Sequence, residues 1–144
     1  MTSDIRIGII GAGANTIAKH IPFLQAIDGV EIIGVVNRSK ESSTNVAQRY
    51  GIPKTYDQWE HAIDDTETNA ILIGTWPYLH CPVTLAAIDA GKHVLTEARM
   101  AMNADEALRM FNAHQANPEF ANSNYRYAVE IELLSEYLPK LPIC

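Results

Sequence analysis

The residues best placed for chemistry lie just after short apolar runs. Gly11-Ala12-Gly13-Ala14-Asn15-Thr16 follows one such run, residues 5–10, and leads straight into a helical pattern. A turn of this kind presents backbone N–H groups at a helix N-terminus, where a pyrophosphate binds. Gly11 permits the tight turn, and Gly13 lets phosphates approach the backbone. Thr16 stands where a third small residue usually eases helix–strand packing. Further on, Asn37-Arg38-Ser39 closes a second apolar run. That is the expected position for ribose recognition, about 20 residues past the glycines. Asn37 carries no charge to repel a phosphate, Arg38 offers a bidentate fork, and Ser39 offers a hydroxyl. A solvated Arg38 is the alternative. The pattern points to NADP, with NAD as the other choice.

A third apolar run ends at Gly74 and continues Thr75-Trp76-Pro77-Tyr78-Leu79-His80. Ligands of open parallel sheets sit beyond the carboxyl ends of the strands. Thr75, Trp76 and Pro77 are therefore read as cofactor-binding, with Trp76 and Tyr78 as an apolar wall beside a nicotinamide ring. Trp76-Pro77 is a candidate for a cis bond. His80 has two readings: a group near the reacting centre, or a helix-start residue bonded locally. Cys81 reads as a small buried side chain.

Elements that alternate in kind must position these segments. Residues 5–10 and 32–36 are continuous apolar runs, as in strands buried on both faces. Between them Ile17, Ile21, Leu24 and Ile27 keep helical spacing up to Asp28-Gly29. Helices are expected over 42–50, 57–63, 81–90 and from Asn103 to about 116, and short strands over 54–56, 70–73 and 93–95. Asn103 and Glu106 have the spacing of a capping box. The acidic run 64–69 reads as a solvated loop and lacks the glycine and terminal glutamate of a calcium loop; no metal site is expected. Repeated strand–helix alternation predicts an α/β fold, a doubly wound parallel sheet with right-handed crossovers.

Composition sets limits on partners. The 144 residues carry a formal net charge of −6. That argues against sequence-independent nucleic-acid binding, which needs a basic stripe. No apolar stretch approaches the ~20 residues of a membrane span. Two cysteines without metal-ligand spacing fit a reducing compartment, and no signal peptide is visible. The expected location is cytoplasmic.

The strand end at Gly91-Lys92-His93-Val94, with Glu97 after it, completes a set of motifs. The others are Gly11-Ala12-Gly13, His20-Ile21-Pro22-Phe23-Leu24, Asn37-Arg38-Ser39 and Pro77-Tyr78-Leu79-His80. From about residue 5 to 116 the chain resembles the N-terminal domain of the Gfo/Idh/MocA oxidoreductases. The resemblance implies a Rossmann domain over 1–120 and a second α/β domain that holds a sugar or polyol-like substrate. It implies hydride transfer between that substrate and a nicotinamide dinucleotide. Glu97 matches the glutamate of the family's Glu-Lys-Pro motif; the lysine falls on Ala98 and the proline on Arg99. Glu97, Ala98 and His80 are thus carried over as cofactor-binding, and Arg99 and, again, His80 as the candidates for catalysis. Arginine stays charged and cannot relay a proton as lysine does.

Residues 121–144 read as a remnant or start of the second domain, with Arg126 loosely like a family residue. The substrate sheet is then essentially missing, and the uncovered surface favours association into a homo-oligomer. Two functions follow: the cofactor-binding part of an oxidoreductase, inactive without its second domain, or a stand-alone dinucleotide-binding or regulatory module. A protein-interaction domain that has lost its ligand is a third class.

Overall fold

A computed structural model of the chain describes residues 5–117. Strands β1 (Ile5–Ile10), β2 (Val30–Val36), β3 (Lys54–Thr55), β4 (Ala70–Ile73) and β5 (His93–Thr96) form one sheet. All neighbours are parallel, in the order β3-β2-β1-β4-β5. The chain therefore winds outward from β1 in both directions, and the split between β1 and β4 is where a ligand crevice forms. The residues read as a second-domain segment, Arg126 among them, lie outside the described part.

Alternation along the strands builds two cores. Ile9, Val35 and Leu72 point to one face, packed with Ile21, Val46, Ala47 and Ile52. Ile10, Val36, Ile71 and Ile73 point to the other, against Ala62, Ile63, Val83, Ala87 and Ile88. Each isoleucine, leucine or valine among them stabilises the fold by about 1.5–3 kcal/mol relative to exposure. Both faces being covered explains why the strands read as unbroken apolar runs. Register then decides where the site lies. Ile10 pairs with Val36 and with Ile73, and Ile73 with Thr96, so four strands end level.

Helix α1 (Ile21–Gln25) is entered through a single π-helical stretch, Thr16–His20. In α2 (Lys40–Tyr50) the Ser39 hydroxyl accepts the Ser42 N–H, and Gly51 ends the helix at φ +65°. Helices α3 (Trp59–Asp64) and α4 (His80–Asp89) cover the other face, α4 after a short 3-10 turn at Pro77–Leu79. In α5 (Ala104–Ala116) the Asn103 side chain accepts the Glu106 N–H. The Glu106 carboxylate accepts from Met102 N–H, one residue earlier than a regular capping box. Cys81 is buried between α4 and α5 with Met100, Ala107 and Met110. Burial pushes its thiol pKa up. The cis peptide bond among the described residues joins Ala98 and Arg99, and Trp76-Pro77 is trans.

The acidic run differs from its expectation as a solvated loop. Asp65 is largely buried and accepts hydrogen bonds from Lys54 Nζ, Tyr56 Oη and Glu67 N–H. Burial opposes its charge, but those three donors outweigh it and hold the carboxyl pKa at about 2. Lys92, only 6% exposed, donates to the carbonyls of Asp65 and Thr68 and to the Thr68 hydroxyl. Desolvation lowers its pKa. Gly34 is required here, because a Cβ would overlap the Tyr56 ring. Buried cations are kept when every donor has a partner. The loop is thus a hydrogen-bonded plug at the entry to β4 and β5.

Candidate functional site

Because four strands end level, the segments after them converge around one cleft of ≈ 830 Å³. The turn after β1 supplies Gly11, Gly13, Ala14, Asn15 and Thr16 to its lining. The segment after β2 supplies Asn37, Arg38 and Ser39, that after β4 Thr75, Trp76 and Tyr78, and that after β5 Glu97. Pro77, His80, Ala98 and Arg99 are not part of the lining.

The two glycines of the turn have different jobs. Gly11 has φ +87°, and a Cβ there would come within 2.6 Å of Thr75 Cγ2 and 2.8 Å of Thr75 N. Its missing side chain is needed by the protein itself. Gly13 is exposed, and a Cβ would meet nothing closer than the Gly74 carbonyl at 3.7 Å. The space beside it belongs to the cleft. The turn is held by Gly11 N–H on the Val36 carbonyl (2.8 Å) and Ala12 N–H on Asn37 Oδ1 (2.6 Å). Asn37 Nδ2 in turn donates to Ser42 Oγ (2.9 Å). Asn37 thus ties the glycine turn to the start of α2, a role beyond its lack of charge.

Thr16 replaces the third small residue without loss of packing, since Gly74 makes the room. A Cβ on Gly74 would overlap the Thr16 hydroxyl and the Gly11 carbonyl. Thr16 also donates to Glu97 Oε1 at 3.2 Å, and Asn15 Nδ2 does so at 2.8 Å. His20 Nε2 lies 3.0 Å from the same oxygen. One carboxylate oxygen therefore gathers three side chains from the first turns of the helical segment, and it fastens the end of β5 to the glycine turn.

His80 is 1% exposed, with Nδ1 2.8 Å from the Arg99 carbonyl and Nε2 3.0 Å from the Thr75 carbonyl. The ring braces two loops and turns no nitrogen toward the cleft. Arg38 is exposed and makes no ion pair among the described residues. Trp76 is 74% exposed at the cleft mouth. Ala98 and Arg99 are exposed beyond Glu97.

Sequence reasoning missed Ser42 and the segment Asp57, Gln58, Trp59 and Glu60, all of which line the cleft. The signal was available: Ser42 follows β2 and the segment 57–60 follows β3, so the rule of strand carboxyl ends applies to both. It missed the contact of His20 with Glu97, for which sequence spacing offers no sign. No group of three His, Cys, Asp or Glu is gathered for a metal among the described residues. No described helix is long and apolar enough to cross a membrane.

Comparison with known proteins gives consistent findings. The model of an oxidoreductase family with an NAD-binding Rossmann fold, GFO_IDH_MocA, matches residues 5–125. Over 107 residues the chain is 37% identical to 1,5-anhydro-D-fructose reductase of Ensifer adhaerens, covering 73% of this chain and 31% of that protein. Over 113 residues it is 31% identical to inositol 2-dehydrogenase 3 of Saccharopolyspora erythraea, covering 78% and 33%. An NAD-binding protein from Listeria innocua superposes with a TM-score of 0.71 at 27% identity, over 79% of this chain and 33% of that one. Biliverdin reductase from Synechocystis, solved with biliverdin and NADP+, shares the fold at TM-score 0.74 and 23% identity, over 79% and 35%. The chain spans about a third of the length of these proteins.

Proposed function

The chain belongs to the Gfo/Idh/MocA oxidoreductase family, and from that premise we propose that it is the NADP-binding part of a hydride-transferring enzyme. The substrate is a sugar or polyol-like molecule, held by a second domain, without which hydride transfer does not proceed. One observation carries the reading: the Gly13 turn and Arg38 open on the same cleft over the strand ends. The open space at Gly13 and the first-turn N–H groups, which have no acceptor inside the helix, fit a pyrophosphate. Neutral Asn37, Arg38 without an ion pair among the described residues, and Ser39, whose hydroxyl accepts the Ser42 N–H and keeps its own proton to donate, fit a 2′-phosphate.

When bound, the nicotinamide supplies the hydride donor or acceptor. This chain's residues bind and orient it. Gly13, Ala14 and Asn15 cradle phosphates, Asn37 and Glu97 hold the turn in place, and Trp76 with Thr75 and Tyr78 walls the ring's end. Arg99 stabilises a developing negative charge on a substrate oxygen, and His80 positions the loops that carry Thr75 and Arg99. A second reading, a dinucleotide-binding module without hydride transfer, is favoured by Ala98, whose methyl group has no proton to exchange.

Titration with NADPH and NADH, following Trp76 fluorescence in a Trp59→Phe background, tests both. Binding of both is expected, with NADPH tighter by about tenfold, the scale of one charge-assisted contact. No response to either overturns the reading; tighter NADH overturns the NADP assignment. Cofactor binding without oxidation of any polyol favours the module.

A further inference from the structure

The adenosine end of the cleft carries more charge than one phosphate needs. Arg38, Ser39 and Lys40 run consecutively into α2, so two cations stand beside the helix start. Asp57 and Glu60, from the segment after β3, line the same cleft. Lys40 Nζ lies 3.7 Å from Asp57 Oδ1, with the two side chains 80% and 71% exposed. Resting on the dinucleotide reading above, we propose that Asp57 is a specificity residue that holds down affinity for the 2′-phosphorylated cofactor. It does so by engaging Lys40 and by setting a carboxylate at the end of the cleft where Arg38 stands.

The physical argument concerns differences between two ligands. A cleft for the unphosphorylated ribose has no use for paired cations; one built only for a 2′-phosphate has no use for carboxylates. This cleft has the carboxylates of Asp57 and Glu60 and the cation of Arg38 in its lining, and a second cation, Lys40, stands just outside it as the first residue of α2. A phosphate monoester carries a charge of about −1.5 to −2 at neutral pH, so a carboxylate at this end penalises NADPH far more than NADH. Discrimination by a repulsive element is a common device. The Lys40–Asp57 pair is long and exposed, and such pairs hold their members weakly. Removing Asp57 therefore acts mainly by removing the repulsion, and to a smaller extent by releasing Lys40.

The measurement is the ratio of dissociation constants, Kd(NADH)/Kd(NADPH), in the full chain and in Asp57→Asn. The ratio should rise about fivefold at low salt and less near 0.5 M salt, where the screening length is only about 4 Å. In a Lys40→Gln background the rise should shrink, since the freed ammonium is gone. Asp89→Asn removes the same charge at the far end of α4 and should leave the ratio as it was. Asp57→Ser repeats the test should the amide variant fold poorly. An unchanged ratio in both Asp57 variants, or an equal rise in Asp89→Asn, overturns the proposal. Failure of the parent to bind either dinucleotide is a separate result that overturns the cleft reading and this inference with it.

Discussion

At the entry to β4 and β5, Lys92 spends its ammonium on Asp65 and Thr68, and Asp65 spends its carboxylate on Lys54, Tyr56 and the Glu67 N–H. At the carboxyl ends of the strands of the same sheet, Arg38 and the first-turn N–H groups face a cleft of ≈ 830 Å³. Both places are polar, and both follow from loops beside short strands. In the first, the donors and acceptors saturate one another inside the protein, which makes the cluster a source of rigidity. In the second, donors point at open space, which makes them available to a ligand. Saturation of hydrogen bonding, more than residue type, separates the structural cluster from the binding one.

The largest effect expected of a single change is at the turn. Gly11→Ala places a Cβ at φ +87° against Thr75, and should cost about 3 kcal/mol or more by left-handed strain plus overlap. Urea unfolding and NADPH titration should both register it; a variant as stable as the parent would show that the turn tolerates a side chain. Lys92→Met should cost about 3 kcal/mol by leaving buried acceptors without a donor. NADPH affinity measured under folding conditions should stay within about twofold, as for distant sites. A larger change would mean that the two ends of the sheet are coupled.

Acid should act next, on the closed cluster. The Asp65 carboxyl sits at about 2 in the fold against an ordinary 3.8, so folding favours its ionised form. Its stabilisation is therefore complete above about pH 4 and is lost as pH falls towards 2. Unfolding midpoints across that range should show the loss, and Asp65→Asn should flatten that part of the curve. The smallest effects belong to the open cleft. Gly13→Ala should leave the thermal midpoint within about a degree, since its Cβ meets little. It should weaken dinucleotide binding about tenfold, or 1.4 kcal/mol, as should Arg38→Gln for NADPH. A fall in stability at Gly13 comparable with that at Gly11 would erase the distinction between the two glycines.

Much of the cleft was legible because its main parts are local. Gly11 and Gly13 are two apart, and Arg38 and Ser39 adjoin the end of β2. The closed cluster was not legible, and the acidic run that forms its centre read as solvated. Lys54, the loop that holds Asp65 and Thr68, and Lys92 are three separate segments, and no periodicity links them. His80 illustrates the middle ground. Its position at the start of α4 was visible from the pattern, but only its two carbonyl neighbours show that the ring faces inward.

Local sterics and periodicity were enough to set the strands, the helices and the parallel alternation, because those depend on neighbours a few residues apart. Thr16 in place of a third glycine was likewise visible, though its compensation by Gly74 was not. Tertiary structure decided the register that brings Ile10, Val36, Ile73 and Thr96 level. It also decided that Glu97 holds Asn15, Thr16 and His20, and that Asp57 shares a cleft with Arg38. Those facts rest on distances between segments far apart in the chain. Packing sets such distances only when the sheet is assembled.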